Sequence, residues 1–138
     1  MKLISGLIGV FALVVTTLVF APAAHAAYPG TVVTSCNFNK PNSVRKNKKL
    51  LASYSIGTSG NGGPAGKITF KIYRVKKNGD LAFNRALSNS FNGGAHVRSL
   101  GKFKKTGKWR VQLVFTPSGG SVYKSCATGL RGFKVKRG

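Results

Sequence analysis

Apolar and polar side chains alternate along several short segments of the chain. In each of five segments, every second position carries a predominantly apolar side chain; these segments are 32–38, 50–56, 68–72, 109–115 and 133–135. A period of two places successive side chains on opposite faces of a β-strand. No window of helical length has a comparable period of 3.6 residues. The pattern therefore predicts an all-β protein whose strands each bury one face.

Turn residues separate these segments at short intervals. Asn78-Gly79-Asp80 is typical of a tight hairpin turn, and the glycine-rich stretches 59–66 and 117–120 indicate further turns. The alternation is weakest over 84–94, so the strands of that region are the hardest to place. A chain of about seven short strands with frequent turns predicts an antiparallel β-sandwich.

The first residues have the features of an export signal. Lys2 is followed by an apolar run over 3–20, Pro22 interrupts that run, and Ala-His-Ala at 24–26 offers small residues where a signal peptidase reads them. An uncleaved anchor is the alternative, because about 18 apolar residues can just span a bilayer.

We predict a signal peptide over 1–26, cleaved after Ala26 or after Ala27, and one domain over 27–138. No second apolar run follows the first, so no transmembrane segment is expected after processing. The processed protein is expected to be secreted, either extracellular or associated with the cell wall.

The sequence contains two cysteines, Cys36 and Cys126. Export places them in an oxidising compartment, where a disulfide forms and persists. Their bridge would close a loop of about 90 residues, worth roughly 4.5 kcal/mol in the chain-entropy model. A disulfide-linked dimer and two free thiols are the alternatives.

Two segments resemble strands of bacterial immunoglobulin-like repeat domains. PAGKITF at 64–70 is similar to the P-x-G-x-V-T-F strand of that family, and GKWRVQL at 107–113 is similar to its G-x-Y-x-V-x-V strand, with Trp in place of Tyr. The stretch from 115–117 to 123–125 is similar to the turn and strand that follow. The resemblance covers roughly 31–136 and implies an immunoglobulin-like sandwich with strands A to G.

Members of that family are usually repeats in larger surface proteins, where they act as spacers or binding modules. This chain differs in being a lone domain and in having a single acidic residue, Asp80. These differences argue against the spacer role and against the acid-lined calcium sites of some members.

The implied strand order places the A–B, C–D and E–F turns at one end of the sandwich. These turns carry ten cationic residues, which we call the basic pole. Its members are Arg45, Lys46, Lys48, Lys49, Lys76, Lys77, Lys102, Lys104, Lys105 and Lys108. The glycine-rich loops at the opposite end are nearly neutral, so the charge is expected to be lopsided.

A second group of polar residues is out of phase with the core positions of strands C, F and G. We call this group the basic sheet face; its members are Lys67, Lys71, Tyr73, Arg110, Lys134 and Lys136. Tyr73 is expected on the outer face, where its ring can stack on a sugar or a base. Phe103 lies between two lysines in a predicted turn and is expected to be exposed.

The composition argues against catalysis. The full chain has 23 Lys and Arg against one acid, and after processing His96 is its single histidine. A paired-carboxylate mechanism needs two acids, and a metal site needs a cluster of ligands that the sequence does not offer. His96 is expected at the surface or on an edge strand and Trp109 in the core. We therefore expect neither an enzyme nor a bound cofactor or metal.

Clustered cations attract polyanions and release their counterions on binding. The sequence thus favours a secreted, non-catalytic binding module for anionic polymers, such as cell-wall polymers, extracellular DNA or acidic polysaccharides. Lysines outnumber arginines, which favours loose and sequence-independent binding, including non-specific binding of nucleic acid. A cationic membrane-active or antimicrobial protein and a structural cell-envelope protein are the alternatives. The protein is expected to be a monomer.

Overall fold

The structure, a computed structural model, describes residues 31–60 and 62–138; the predicted signal peptide and its cleavage site lie outside the described residues. The described part of the chain forms nine β-strands and contains no helix that could cross a membrane. The strands are β1 (Thr34–Asn39), β2 (Ser43–Arg45), β3 (Lys49–Thr58), β4 (Ala65–Val75), β5 (Leu81–Asn92), β6 (Ala95–Lys102), β7 (Gly107–Pro117), β8 (Cys126–Ala127) and β9 (Arg131–Lys136). The predicted all-β fold is confirmed, with nine strands in place of about seven.

The strands form two sheets. One has the order β1-β3-β6, and the other has the order β2-β9-β7-β4-β5, with β8 also paired to β7. Neighbouring strands are antiparallel except β2 and β9, which run parallel. In the constant-type immunoglobulin arrangement the fourth strand joins the sheet of the first, second and fifth strands. Here β5 pairs instead with β4 along its whole length.

The additional strands, β2 and β8, arise where an extended segment is broken into two separate strands. After β1 the chain leaves the first sheet at Pro41, which has no N–H to donate to a ladder, and Asn42 accepts a hydrogen bond from the Lys134 amide (3.0 Å). At the other end of the chain, Thr128 separates β8 from β9. The buried hydroxyl of Thr128 accepts from the Leu113 amide (3.0 Å), and its own amide donates to the Leu113 carbonyl (2.9 Å).

The alternating apolar positions form the core between the sheets. Ile68, Phe70 and Ile72 from β4 are fully buried, and the Phe70 ring lies 5.3 Å from Tyr54 of the opposite sheet. Val111, Leu113 and Phe115 continue this layer from β7, also without exposed surface. Each such side chain contributes about 1.5–3 kcal/mol on burial.

The expectation that Phe103 is exposed is wrong. Its side chain is 1% exposed, and its ring centroid lies 5.0 Å from those of both Trp109 and Phe133. The chain bends at Gly101, whose φ of +89° is in the left-handed region that favours glycine. Leu100 and Phe103 consequently both point inward, and Phe103 fills the end of the core beneath the basic pole.

The weak alternation over 84–94 coincides with an open edge of the sandwich. β5 and β6 are edge strands of different sheets, so side chains rather than a backbone ladder close the gap between them. Asn89 accepts a hydrogen bond from Arg98 and donates one to the Tyr54 hydroxyl (3.0 Å). Polar residues therefore occupy inward positions of β5, and for this reason the sequence of this strand shows little apolar alternation.

The disulfide between Cys36 and Cys126 joins the two sheets. Cys36 belongs to β1, and Cys126 belongs to β8 in the other sheet. The predicted bridge is confirmed, and it spans 90 residues of chain. It therefore restricts the unfolded chain over most of the domain.

We expect that replacing both cysteines, by Cys36→Ser with Cys126→Ser, lowers the free energy of unfolding by about 3–5 kcal/mol. The loss should be larger at low salt. Repulsion between the cations is then unscreened, and it favours the more expanded unfolded chain that the missing bridge allows. Urea denaturation of both proteins at low and high salt measures this. An equal stability of the two proteins would contradict a stabilising role for the bridge.

Candidate functional site

Backbone hydrogen bonds dock the turn between β2 and β3 onto neighbouring segments of the same end. The Lys46 amide donates to the Lys136 carbonyl (2.8 Å), and the Asn47 amide donates to the Phe103 carbonyl (2.9 Å). Asn47 has a φ of +62°, a conformation that Asn adopts more readily than most residues. Lys49 pairs with Lys102 across β3 and β6. Two of the three basic turns are thus held together by the backbone.

The turn between β4 and β5 completes this end of the molecule. The Gly79 amide donates to the Lys76 carbonyl (3.0 Å), and the Lys76 amide donates to the Asp80 carbonyl (2.8 Å). With Gly79 at a φ of +89°, this is a three-residue hairpin loop closed by a bulge. Lys76 and Lys77 face Lys108 across a cleft of about 600 Å³, which we call the turn cleft.

The structure therefore brings all ten residues of the basic pole to one end, and each of their side chains is exposed. The single acid of the chain, Asp80, lies in the same region. Its carboxylate accepts a hydrogen bond from the Asn78 side chain (2.7 Å), and its amide donates to the side-chain oxygen of Asn78 (3.1 Å). Asp80 thus shapes the hairpin turn, and one acid offsets little of the positive charge around it.

A second cleft lies beside the pole, between β5 and the connection from β6 to β7. It has a volume of about 440 Å³, and we call it the β5 cleft. Lys102, Lys104 and Lys105 line one side of it, and Arg74, Phe83 and Arg85 line the other. These last three residues were not predicted from the sequence. Arg74 lies opposite Trp109 in the β4–β7 register and lines both clefts.

Arg85 is held by the fold. Its guanidinium lies 4.6 Å from the centroid of the Phe103 ring, and its Nη2 donates to the carbonyls of Leu100 (2.8 Å) and Lys102 (3.3 Å). Burial lowers the pKa of Arg85 from its ordinary value. Arg85 therefore bridges the edge strands β5 and β6, and its Nη2 donates hydrogen bonds to the backbone of β6.

Arg74 has unused hydrogen-bonding capacity. Its Nε is the one buried side-chain nitrogen or oxygen atom among the described residues that has no hydrogen-bond partner. Such an atom is costly, because it has lost water without gaining an acceptor. Since Arg74 lines both clefts, it is the partly buried cation of this end that the fold leaves incompletely satisfied.

The residues of the basic sheet face lie on three adjacent strands, β4, β7 and β9. Tyr73 lies opposite Arg110 in the ladder, and Lys71 lies opposite Gln112. Lys134 lies opposite Lys108 of the pole, and Lys136 lies opposite Arg45 of the pole. Lys67 is remote from these, next to Thr116 near the other end of β7. Lys67 aside, the face therefore continues into the basic pole.

Tyr73 does not present the open ring that its sequence position suggested. It is half-buried, and its ring packs edge-on against Phe83 with centroids 5.8 Å apart. Phe83 is the more exposed partner, with 62% of its side chain accessible. No pattern in the sequence singles out Phe83, because its strand lies partly in the region of weak alternation.

Lys40, at the edge of the same sheet, lies close to two other cations. Its Nζ donates to the Gly132 carbonyl and lies 5.5 Å from the Phe133 ring centroid. Burial lowers the pKa of Lys40, and the charges of Arg131 and Arg110 lower it further. The fold therefore holds three cations together here without an acidic neighbour.

The outer face of the β1-β3-β6 sheet is different. Away from the paired Lys49 and Lys102 at the pole, its outward positions carry small polar or apolar residues: Ser35, Asn37, Asn39, Leu51, Ser53, Ser55, Gly57, Ala95, Val97 and Ser99. The outer faces of the two sheets therefore differ in charge, as do the two ends of the molecule.

The remaining candidates for chemistry lie apart. Asp80 immediately precedes β5, whereas His96 follows the other end of that strand. The His96 ring stacks on Tyr54 with centroids 5.6 Å apart, and its Nε2 is 2.7 Å from the Gly93 carbonyl. Over 31–60 and 62–138, no three His, Cys, Asp or Glu side chains gather as a metal site.

No protein-family model and no curated protein matches the chain. Among solved structures it is similar to a superoxide reductase (neelaredoxin) from Ignicoccus hospitalis, at 14% identity and a TM-score of 0.48, over 75% of this chain and 80% of that one. A beta-glucosidase from Listeria innocua in complex with glucose is similar at 11% identity and a TM-score of 0.48, over 74% of this chain and 16% of the enzyme. The CARDB domain of the PF1109 protein from Pyrococcus furiosus is similar at 15% identity and a TM-score of 0.43, over 80% of this chain and 89% of that one. At these scores the similarities carry no functional assignment.

We expect Arg85→Ala to lower the free energy of unfolding by about 1–3 kcal/mol, because the stacking on Phe103 and two hydrogen bonds are removed. Arg85→Lys should recover little, since an ammonium cannot reproduce the planar, forked geometry of a guanidinium. Lys105→Ala is the matched control and should leave stability unchanged or slightly higher, because the Lys105 carbonyl that accepts from Trp109 is kept and one charge is removed from the pole. Urea denaturation compares the three. An Arg85→Ala protein as stable as Lys105→Ala would contradict the structural role of Arg85.

The lowered pKa of Lys40 leads us to expect that the free energy of unfolding rises with pH in the alkaline range. Its folded pKa is lowered from 10.5, so the unfolded chain binds more protons between the two pKa values. The free energy of unfolding therefore increases as the pH rises towards 10.5. Lys40→Met should reduce this increase, and Lys124→Met serves as an exposed control. Urea denaturation at neutral and alkaline pH measures it; equal pH dependence in Lys40→Met and wild type would contradict the role of Lys40.

Proposed function

We propose that this protein is a secreted, non-catalytic binding module with an immunoglobulin-like fold that attaches to anionic polymers through its basic pole. Cell-wall polymers, extracellular DNA and acidic polysaccharides share the required chemistry, which is a closely spaced series of negative charges. The export-like N-terminal sequence and the disulfide are consistent with a protein that works outside the cytoplasm.

One observation carries the proposal: three turns from distant parts of the sequence converge and expose ten cations beside one acid. Holding like charges together raises the free energy of the folded state. Because the Asn47 amide docks the turn between β2 and β3 onto the connection between β6 and β7, the lysines of these two turns cannot relieve the repulsion by moving the turns apart. A bound polyanion relieves it directly.

The side chains of the pole suit a polymer whose charges are variably spaced. Nine of the ten are lysines, each a mobile point charge on a flexible stem. Binding of this kind derives its free energy from the release of condensed counterions, so affinity falls steeply as salt rises. Arg110, Lys134 and Lys136 extend the cationic surface along one sheet, which provides a path for a polymer longer than the pole.

The test is retention of the protein on heparin and on DNA across a salt gradient. Wild type should elute above physiological ionic strength, and Lys46→Glu with Lys104→Glu should elute markedly earlier. Lys67→Glu with Lys124→Glu is the matched control, because it changes the net charge equally at the other end of the molecule. The slope of log affinity against log salt should also fall in the pole variant, by about 0.9 for each duplex phosphate that it no longer neutralises.

Other outcomes would overturn the proposal. Equal shifts for the pole variant and its control would show that total charge, rather than the pole, determines retention, as in a structural envelope protein. Elution of wild type below physiological salt would exclude polyanion binding of useful strength. Dye release from anionic vesicles without retention on either column would favour a membrane-active protein.

A further inference from the structure

An exposed aromatic ring lies at the rim of the β5 cleft. Phe83 is 62% exposed, although an apolar ring of this size is normally buried or paired. Its neighbour Tyr73 lies opposite it in the β4–β5 ladder and packs against it edge-on, with the ring planes at 71°. Tyr73 therefore supports Phe83 from the sheet and leaves most of the Phe83 ring open to solvent.

Cations border this ring on two sides. Lys102 and Lys104 line the cleft together with Phe83. On the side of the sheet, Tyr73 lies between Phe83 on β5 and Arg110 on β7. Phe83 thus occupies the junction of the basic pole and the basic sheet face, where a polyanion bound to both would pass.

We infer that the anionic polymer is single-stranded nucleic acid and that Phe83 stacks on one of its bases while the pole contacts the phosphates. The inference rests on the proposed function and narrows its ligand. Single-strand-binding surfaces combine a cationic groove with exposed aromatic rings, and stacking is available to every base because each has a π-face. A duplex conceals those faces, so the ring favours an unpaired strand.

The charged side chains that line the cleft with Phe83 carry hydrogen-bond donors and no acceptors. They match phosphate oxygens, and they match the sulfates and carboxylates of an acidic polysaccharide equally well. The feature that favours a nucleic acid is therefore the exposed Phe83 ring, which offers a surface for the π-face of a base. The comparison of oligothymidylate with heparin separates the two kinds of polymer.

The experiment is a double-mutant cycle that separates bases from phosphates. Wild type and Phe83→Ala are titrated with fluorescently labelled oligothymidylate and with an abasic strand of the same number of phosphates, at one salt concentration. We expect Phe83→Ala to bind oligothymidylate about 5- to 150-fold more weakly, equivalent to ~1–3 kcal/mol for one stacked base. The abasic strand should bind both proteins equally, and Phe83→Trp should retain wild-type affinity for oligothymidylate.

Two controls keep this result separate from the test of the pole. Heparin retention should be unchanged in Phe83→Ala, whereas the reversal at Lys46 and Lys104 weakens heparin and oligothymidylate alike. A hairpin duplex with the same number of phosphates should bind wild type and Phe83→Ala equally, because paired bases do not offer their faces to the ring. Because Phe83 is mostly exposed, Phe83→Ala should lose no more stability than its ring contact with Tyr73 provides, and a cooperative urea transition verifies that the variant is folded.

Three results would overturn the inference. If Phe83→Ala binds oligothymidylate as wild type does, the ring makes no stacking contact, and pole-dependent heparin retention leaves the proposed function standing. If Phe83→Ala weakens heparin as much as oligothymidylate, the ring is not selective for bases and an acidic polysaccharide is favoured. If wild type binds neither probe, the inference and the proposed function fall together.

Discussion

Repulsion among the Lys and Arg side chains opposes the folding of this sandwich, and the rest of the structure must offset it. All but one of the 23 basic residues lie in the described part of the chain, and Asp80 is the single acid that opposes them. Ion pairs therefore cannot hold the fold together. Cohesion comes from apolar side chains shared between the sheets, such as Phe70 against Tyr54, and from the disulfide between Cys36 and Cys126.

The cations could lower their mutual repulsion by spreading evenly over the surface, and they do not. The outer face of the β1-β3-β6 sheet is uncharged away from the pole, although most of its outward positions are exposed and open to substitution by lysine. Meanwhile the Asn47 amide fixes the basic turn between β2 and β3 against the basic connection between β6 and β7. A distribution that is unfavourable for the isolated molecule is what a surface for polyanions requires.

Much of the fold follows from local patterns in the sequence. Alternation locates the central strands and their buried faces, and glycine-containing turns separate them. Two cysteines in a chain with an export-like N-terminal sequence predict the bridge between them. The order of the strands, from the resemblance, then places the three basic turns at one end. Features that depend on non-local contacts could not be obtained this way. Phe103 is buried because the backbone bends at Gly101, and Asn89 faces inward because Arg98 and Tyr54 satisfy it.

The site was less predictable than the fold for the same reason. Charge alone identifies the cations of the pole, but it does not distinguish those that the fold uses from those that are free. Arg85 resembles any exposed cation in the sequence, yet Phe103 and two carbonyls hold it. Phe83 lies in a strand with poor alternation, and its ring contact with Tyr73 forms only across the ladder.

Arg85 and Arg98 differ from the lysines of the pole in what their side-chain donors contact. Arg85 and Arg98 donate to acceptors of the protein itself and close the edge between the sheets, a role that suits a planar group with several donors. The pole consists of lysines apart from Arg45, and their charges are exposed. If the pole binds a polyanion as proposed, its lysines set the salt dependence of binding and do not distinguish one polyanion from another. Discrimination then requires an uncharged contact, and at the junction of the two basic surfaces the structure offers the exposed ring of Phe83.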